Sequence, residues 1–288
     1  MLAVIVDVIS GKILLNMMSN AKPSTMKDMF DVTRSCKEDI VVLGSSRAAH
    51  HYDSRIIEDS LEMSCVNYGS QDNGIVLMYG RYKMLTRYHI PKMIIYDIHS
   101  PFDLWQGDNS KYLPRLRPFA SDSTIRNYIY RIDESENLKL NSNLYRFNGM
   151  FQELLAVQFR ADNNLYHGYA PLYGQMKSIP VVGNTKEQPA VTDTLKLNLF
   201  REMIKDCNKK GVKLCFLVSP SFKRGYFKTV DPILKMCRDY GVPYELYDKP
   251  DAFPLECGYF FDSSHLNDKG AKLYTKKVIP FLRKVLNQ

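Results

Sequence analysis

The chain has 288 residues, 45% hydrophobic and 24% charged, with 15 Gly and 14 Pro, proportions that exclude a disordered, collagen-like or coiled-coil protein. At about 150 residues per domain the length allows two domains, yet α/β folds of this size also occur as one unit carrying an insertion. Lys and Arg number 39 against 31 Asp and Glu, a net charge of +8, but the surplus is scattered and no zinc-finger, RNA-recognition or helix-turn-helix pattern goes with it, so no nucleic-acid partner is expected.

The first element, Leu2 to Met18, is apolar apart from Asp7 and Lys12 and is followed by a polar stretch to Ser24. It is shorter than the usual membrane span and lacks a basic leader. Two readings stand for residues 1–24: the tail of an N-terminal membrane anchor, which would place the protein in the cell envelope, or an apolar helix packed on a cytoplasmic domain. Residues 25–288 are expected to form one α/β domain. Asp39 to Ser46 reads as the first central strand, ending in small residues, and Arg47 to Leu61 as helical. Ser64 to Gly69 is a second strand, Gly74 to Tyr88 a helix, and Lys92 to Asp97 a third strand. That alternation predicts a parallel sheet covered on both faces.

From about 99 to 191 the alternation stops, and Tyr, Asn, Pro and Gly dominate. Asn143 to Phe159 has helical spacing, and Tyr166 to Gly174 reads as loop. The span is expected to be an insertion over the sheet edge, where it would act as a lid or specificity wall. Its Tyr166, Tyr169 and Tyr173 either stack on sugar rings or pack their own loop. A helix from Thr192 to Lys210, a strand from Val212 to Val218, a helix near Pro232 to Tyr240 and a strand from Pro243 to Tyr247 restore the pattern. The last helix, Asp268 to Leu286, carries a cationic face with Leu273, Val278, Phe281 and Leu282 turned inward. The fold class is therefore a three-layer α/β/α sandwich with a parallel sheet of about five strands.

Six Cys without a C-x-x-C pair indicate neither a zinc ribbon nor a redox motif, and Cys215 reads as a buried thiol. Neither a dinucleotide-binding nor a P-loop glycine pattern occurs, and the acids Asp97 and Asp103 lack clustered partners for a metal.

Two short motifs carry chemistry. Gly44-Ser45-Ser46-Arg47 closes the first strand, and a serine at such a strand-to-helix turn lies at the carboxyl edge of the sheet beside free backbone N–H groups. Asp262-Ser-Ser-His265 precedes the last helix. A serine nucleophile needs a base, and a histidine base needs a partner that fixes its tautomer. Asp262 and His265, three apart in a turn, meet that need and complete a triad with Ser46. The alternative is a turn with a helix cap and no catalytic role. Arg47 either holds an anionic group or makes a surface ion pair, and the adjacent His50 and His51 read as surface residues.

At these positions the chain resembles the SGNH/GDSL hydrolase superfamily. Gly44, Ser45 and Ser46 match its Gly-Asp-Ser block, with Ser45 in place of the aspartate, and Asp262 and His265 match its late Asp-x-x-His block. Asn67-Tyr68-Gly69 falls where the family has an oxyanion glycine. The resemblance implies Ser46 as nucleophile, His265 as base, Asp262 as its orienting partner, and the N–H groups of Ser46 and Gly69 as oxyanion donors. The family's third block, Gly-x-Asn-Asp, is missing: the third strand runs into Tyr96-Asp97-Ile98-His99-Ser100, leaving Asn73 or Ser100 to replace the amide donor. Ser45, Arg47, Asn67, Asn73, Asp97, Ser100 and Ser219 are expected to line the site.

The function expected is a serine esterase acting on a small-molecule or glycan O-acyl ester, with no cofactor. The alternatives are a cell-envelope O-acyltransferase of the same type and an inactive glycan-binding protein. The oligomeric state is not legible in the sequence.

Overall fold

A computed structural model describes residues 1–160, 165–178, 191–223, 225 and 228–288. In chain order the first elements are α1 (Leu2–Ser19), α2 (Thr25–Arg34), β1 (Ile40–Gly44), α3 (Ser46–His51), α4 (Ser54–Leu61), β2 (Cys65–Asn67), α5 (Ile75–Tyr88), β3 (Met93–Asp97) and α6 (Ser100–Asp103). Then come α7 (Ser123–Ile132), α8 (Glu136–Lys139), α9 (Asn143–Arg146), α10 (Phe151–Phe159), α11 (Thr194–Lys210), β4 (Lys213–Val218), α12 (Asp231–Tyr240), β5 (Tyr244–Leu246) and α13 (Asp268–Leu286). They divide between two compact units.

The larger unit, Lys37–Ile75, Ile90–Gly107 and Asn164–Gln288, holds the sheet. All five strands are parallel in the order β2-β1-β3-β4-β5. Every residue of β1 and β3 is buried, as a sheet covered on both faces requires. Side chains alternate between the faces. Ile40, Val42, Met93, Ile95, Cys215 and Leu217 join a core with Val278 and Leu282 of α13. On the opposite face the Tyr96 ring meets Phe200 of α11 edge-on at 5.1 Å. The result is a three-layer α/β/α sandwich, the fold class that the alternation of elements predicts. Its strand order reverses between β1 and β3, the point at whose carboxyl side such sheets bind ligands.

Three local readings need correcting. Arg47 to Leu61 is two helices, because Tyr52 and Asp53 are extended and the Asp53 carboxylate caps α4 by accepting from Arg55 N–H at 3.1 Å. Asn143 to Phe159 is also two, parted around Gly149 at φ +82°. Leu273 of α13 is exposed, whereas Val278 and Leu282 are buried. The segment from Tyr166 to Gly174 is a tight β-bridged turn whose His167 carbonyl accepts from Asn67 N–H of β2 at 2.8 Å. Residues 161–164 and 179–190 of the expected insertion lie outside the described residues.

The smaller unit, Met1–Cys36, Val76–His89 and Asp108–Asn163, is helical. Its interior polar contacts include Arg117 paired with buried Glu136 through both carboxylate oxygens, at 2.7 and 2.9 Å. Tyr145 Oη donates to the same carboxylate at 2.8 Å.

One glycine positions the site. Gly44 ends β1 at φ +144°, and a Cβ there would lie 2.6 Å from the Asp97 carbonyl oxygen and 2.9 Å from Ala48 Cβ. Gly44→Ala should therefore cost on the order of 3 kcal/mol in urea unfolding, from backbone strain and overpacking together. A loss below about 0.5 kcal/mol would show that this turn tolerates a side chain.

Candidate active site

The turn after β1 sets Ser45 as the N-cap of α3, its Oγ accepting from Arg47 N–H at 3.3 Å, and makes Ser46 the first helical residue. Ser46 N–H thus has no carbonyl one turn back to donate to. Ser46 Oγ lies 2.9 Å from His265 Nε2, and the His265 ring is about one-fifth exposed.

His265 stands in the loop before α13. Its Nδ1 is 2.9 Å from Asp262 Oδ2 and 3.1 Å from Oδ1. The same carboxylate accepts from Ser264 N–H at 2.7 Å and His265 N–H at 2.9 Å. Partial burial opposes ionisation of Asp262, but the bonds from the His265 ring and these two N–H groups outweigh it and hold the carboxyl down at about 2. A carboxylate on Nδ1 puts the imidazole proton there and leaves Nε2 to accept from Ser46 Oγ.

Beneath Ser46 lies a buried polar chain. Asp97, at the end of β3, accepts from Tyr52 Oη at 2.8 Å, from Ser219 N–H at 2.9 Å and from Ser219 Oγ at 2.9 Å. Ser219 Oγ accepts from Arg47 Nε at 3.2 Å and meets His51 Nδ1 at 2.9 Å. His51 Nε2 accepts from Leu266 N–H at 3.0 Å, so Nδ1 carries the proton donated to Ser219. Burial pushes the Asp97 carboxyl up, against the pull of Arg47 and of the bonds from Tyr52 and Ser219. Burial likewise drives His51 well below its ordinary 6.5, with Arg47 adding to it.

Several expected site residues are thus supports. Arg47 is fully buried, so it makes neither a surface ion pair nor an open anion site. His50 and His51 are buried as well, at 6% and 0% exposure, because α3 packs directly over the sheet. His50 donates from Nδ1 to the Ala170 carbonyl at 2.6 Å, has Gln71 Nε2 3.3 Å from its Nε2, and sets its ring edge-on to His265 at 5.5 Å. The signal for this in the sequence is spacing: His50 follows Ser46, and His51 follows Arg47, by four residues, which shares a face once α3 is helical.

The second loop is tied by Asn67, whose Nδ2 donates to the Ala48 carbonyl at 2.7 Å and whose Oδ1 accepts from Gly69 N–H at 2.9 Å. Asn73 Nδ2 donates within its own turn, to Ser70 Oγ at 3.1 Å and to the Gln71 carbonyl. Ser100 Oγ pairs with Thr229. In the loop after β3, His99 Nδ1 lies 3.2 Å from Ser45 Oγ. Asp103 fixes this loop by accepting from His99 N–H at 2.7 Å and Tyr96 Oη at 2.6 Å. Of the aromatic residues, Tyr169 is buried and donates to Asp268 at 3.0 Å, whereas Tyr166 and Tyr173 are exposed.

The neutral, buried His51 has a pH signature. The unfolded chain takes up its proton near pH 6.5 and the folded chain only far lower, so stability held above pH 6.5 is lost as the pH falls, at about 1.4 kcal/mol per pH unit. His99, which burial lowers to about 2, acts in the same direction. In urea unfolding between about pH 6.5 and 4.5, His51→Gln should reduce the slope of stability against pH by about 1.4 kcal/mol per unit. An unchanged slope would mean that His51 titrates normally in the folded chain.

No protein-family model and no curated protein matches the chain. Among solved structures, it is similar to a candidate acylhydrolase from Bacteroides fragilis, with 9% identity and a TM-score of 0.45 over 89% of this chain and 94% of that one. It is also similar to a candidate platelet activating factor from Streptococcus pneumonia, with 12% identity and a TM-score of 0.42 over 90% of each. Likeness at this level assigns no activity.

Proposed function

We propose that the chain is an SGNH-type serine acylhydrolase that cleaves an O-acyl ester. The observation that carries this reading is the line from Ser46 Oγ through His265 to Asp262, 2.9 Å at each step, on a serine that opens a helix at the carboxyl edge of a parallel sheet. In this mechanism Ser46 Oγ attacks the ester carbonyl while its proton passes to His265 Nε2. Asp262 stabilises the imidazolium, which returns the proton to the departing alkoxide. Water then gives a proton to the same nitrogen as it attacks the acyl-serine, and the intermediate collapses to release the acid while the imidazolium returns that proton to Ser46 Oγ. No step calls for a metal or organic cofactor.

Ser46 N–H serves as one oxyanion donor. Gly69 N–H, the second, must be shared with Asn67 Oδ1. Losing one donor outright costs about 100 to 1000-fold in rate, so a shared one should cost less than that. Exposed Tyr173 suits an acylated carbohydrate, since it follows the segment whose Ala170 carbonyl holds His50 beside His265, whereas the Tyr166 ring is taken up by His167 and Arg55.

The test is burst-phase release of p-nitrophenol from acetyl, butyryl and octanoyl esters. Ser46→Ala and His265→Ala should each lower kcat about 10⁴-fold or more and abolish the burst. Asp262→Asn, which puts an amide against Nδ1, should cost about 10³ to 10⁴-fold. A burst retained by Ser46→Ala would remove Ser46 as nucleophile. Fast acylation with turnover rescued by added sugar would make the protein an O-acyltransferase, and inertness of the folded chain toward every ester would leave glycan binding.

A further inference from the structure

Within the smaller unit, α1 is long and apolar enough to cross a membrane, and most of it is exposed. Its inward face is short of apolar side chains. Asp7, Gly11 and Met18 lie on one side of the helix by their spacing, and Gly11 and Met18 are buried. Gly11 sits so near Asn143 that a Cβ would fall 2.4 Å from its side chain. Asp7 accepts four hydrogen bonds from this neighbour: from Ser142 Oγ at 2.7 Å, Asn143 N–H at 2.8 Å, Asn143 Nδ2 at 2.9 Å and Leu144 N–H at 3.0 Å. These bonds fasten α1 to α9 and leave Leu2, Ile5, Ile9 and Ile13 facing outward.

The helix packed beside the second half of α1 continues the surface. Gln158 Nε2 of α10 donates to the Met17 carbonyl at 3.0 Å, and Phe151, Leu155 and Phe159, one turn apart, are exposed. Phe159 is 78% exposed. Charge is distributed to match a lipid surface. The one acid of α1 is turned inward and hydrogen-bonded, while the cations Lys12, Lys22 and Arg160 are exposed. Lys22 Nζ rests on the Phe159 carbonyl at 3.0 Å, so a cation stands at the end of the apolar stripe.

We propose that the outer face of α1 and the Phe151-Leu155-Phe159 stripe of α10 form one surface that docks into a single leaflet of an anionic phospholipid bilayer, with Lys12, Lys22 and Arg160 on the lipid phosphates. A bilayer crossing by α1 alone would strip Asp7 of its four partners and leave a carboxylate in hydrocarbon, which is costly. Docking keeps those bonds. It also explains why two helices, one of them 130 residues further along the chain, expose apolar side chains together.

The test is flotation of the full chain, purified in detergent and mixed with vesicles of phosphatidylcholine alone or with phosphatidylglycerol. The wild type should float, and more so with the anionic lipid. Leu155→Glu/Phe159→Glu should lower the partition coefficient about tenfold or more. Lys22→Glu/Arg160→Glu should abolish the preference for phosphatidylglycerol. Circular dichroism checks that each variant is folded, and Ile9→Ser, on the outer face of α1, stands in should the α10 double variant fail that check. Flotation of the α10 variant like the wild type would overturn the proposal in favour of α1 as sole anchor. A wild-type chain that stays with neither vesicle, or a dimer in light scattering that the α10 variant dissolves without any flotation, would overturn it in favour of a second copy.

Discussion

Asp97 is a fully buried carboxylate at the carboxyl end of the central strand β3, and it receives three hydrogen bonds there. A charge in that position is tolerated only when its partners are fixed, so each partner inherits a fixed place. Ser219, at the end of β4, is fixed by both N–H and Oγ. His51 is fixed by Ser219, and the backbone of Leu266 by His51. One residue before Leu266 is His265. The base in the proposed mechanism is thus placed by a chain of four hydrogen-bonded groups that crosses two strands, a helix and a loop. Removing one hydrogen-bond partner of such a buried group typically costs about 1.5 to 3 kcal/mol. The polar network is therefore tied to the stability of the sheet edge as well as to the geometry above it.

The sheet was legible because its central strands are short apolar runs, as in Ile40 to Gly44 and Met93 to Asp97. Such runs announce strands buried on both faces without reference to anything distant. The Asp262 to His265 turn was legible for the same reason, since its partners are three residues apart. Residues whose placement depends on remote contacts were not legible. Arg47 looks like a surface cation until Ser219, 172 positions away, is known to receive its Nε. His50 and His51 look like an exposed polar pair until α3 is seen lying over β1 and β3. The breaks at Tyr52-Asp53 and between Arg146 and Phe151 span only two and four residues, which apolar periodicity averages away. Likewise, periodicity does not say that Met1–Cys36, Val76–His89 and Asp108–Asn163 come together.

The second loop shows a competition that composition could not reveal. Asn67 uses its amide to hold the end of α3 through Ala48 and Tyr52, and its carbonyl oxygen then turns to Gly69 N–H. The residue that secures the helix carrying Ser46 thereby occupies a donor that an oxyanion would want. A negatively charged oxygen is the stronger acceptor, so a shared bond remains available to it at the expense of the Asn67 contact. Preorganisation is incomplete in that arrangement, because part of the stabilisation goes into loosening an existing bond.

Four imidazoles surround the site, His50, His51, His99 and His265, and their chemistry differs through what each far nitrogen meets. His50 gives its Nδ1 proton to a neutral carbonyl, which does little for a cation. His51 has both nitrogens engaged between Ser219 and Leu266, and burial keeps it neutral. His99 is buried against Ser45, with burial and the Arg47 charge both holding it neutral. Among the four, His265 alone has a carboxylate on Nδ1, and its Nε2 faces the serine hydroxyl. A proton arriving at Nε2 makes the Nδ1–Asp262 contact an ion pair, a gain that the carbonyl and hydroxyl partners of the other Nδ1 atoms do not offer. His50 and His51 set their rings edge-on to His265, at 5.5 and 6.2 Å between centroids, and His51 does so without adding a competing charge. In the proposed mechanism the choice of one base among four like side chains thus rests on Asp262, whose low pKa is held against partial burial by the His265 ring and by the N–H groups of Ser264 and His265.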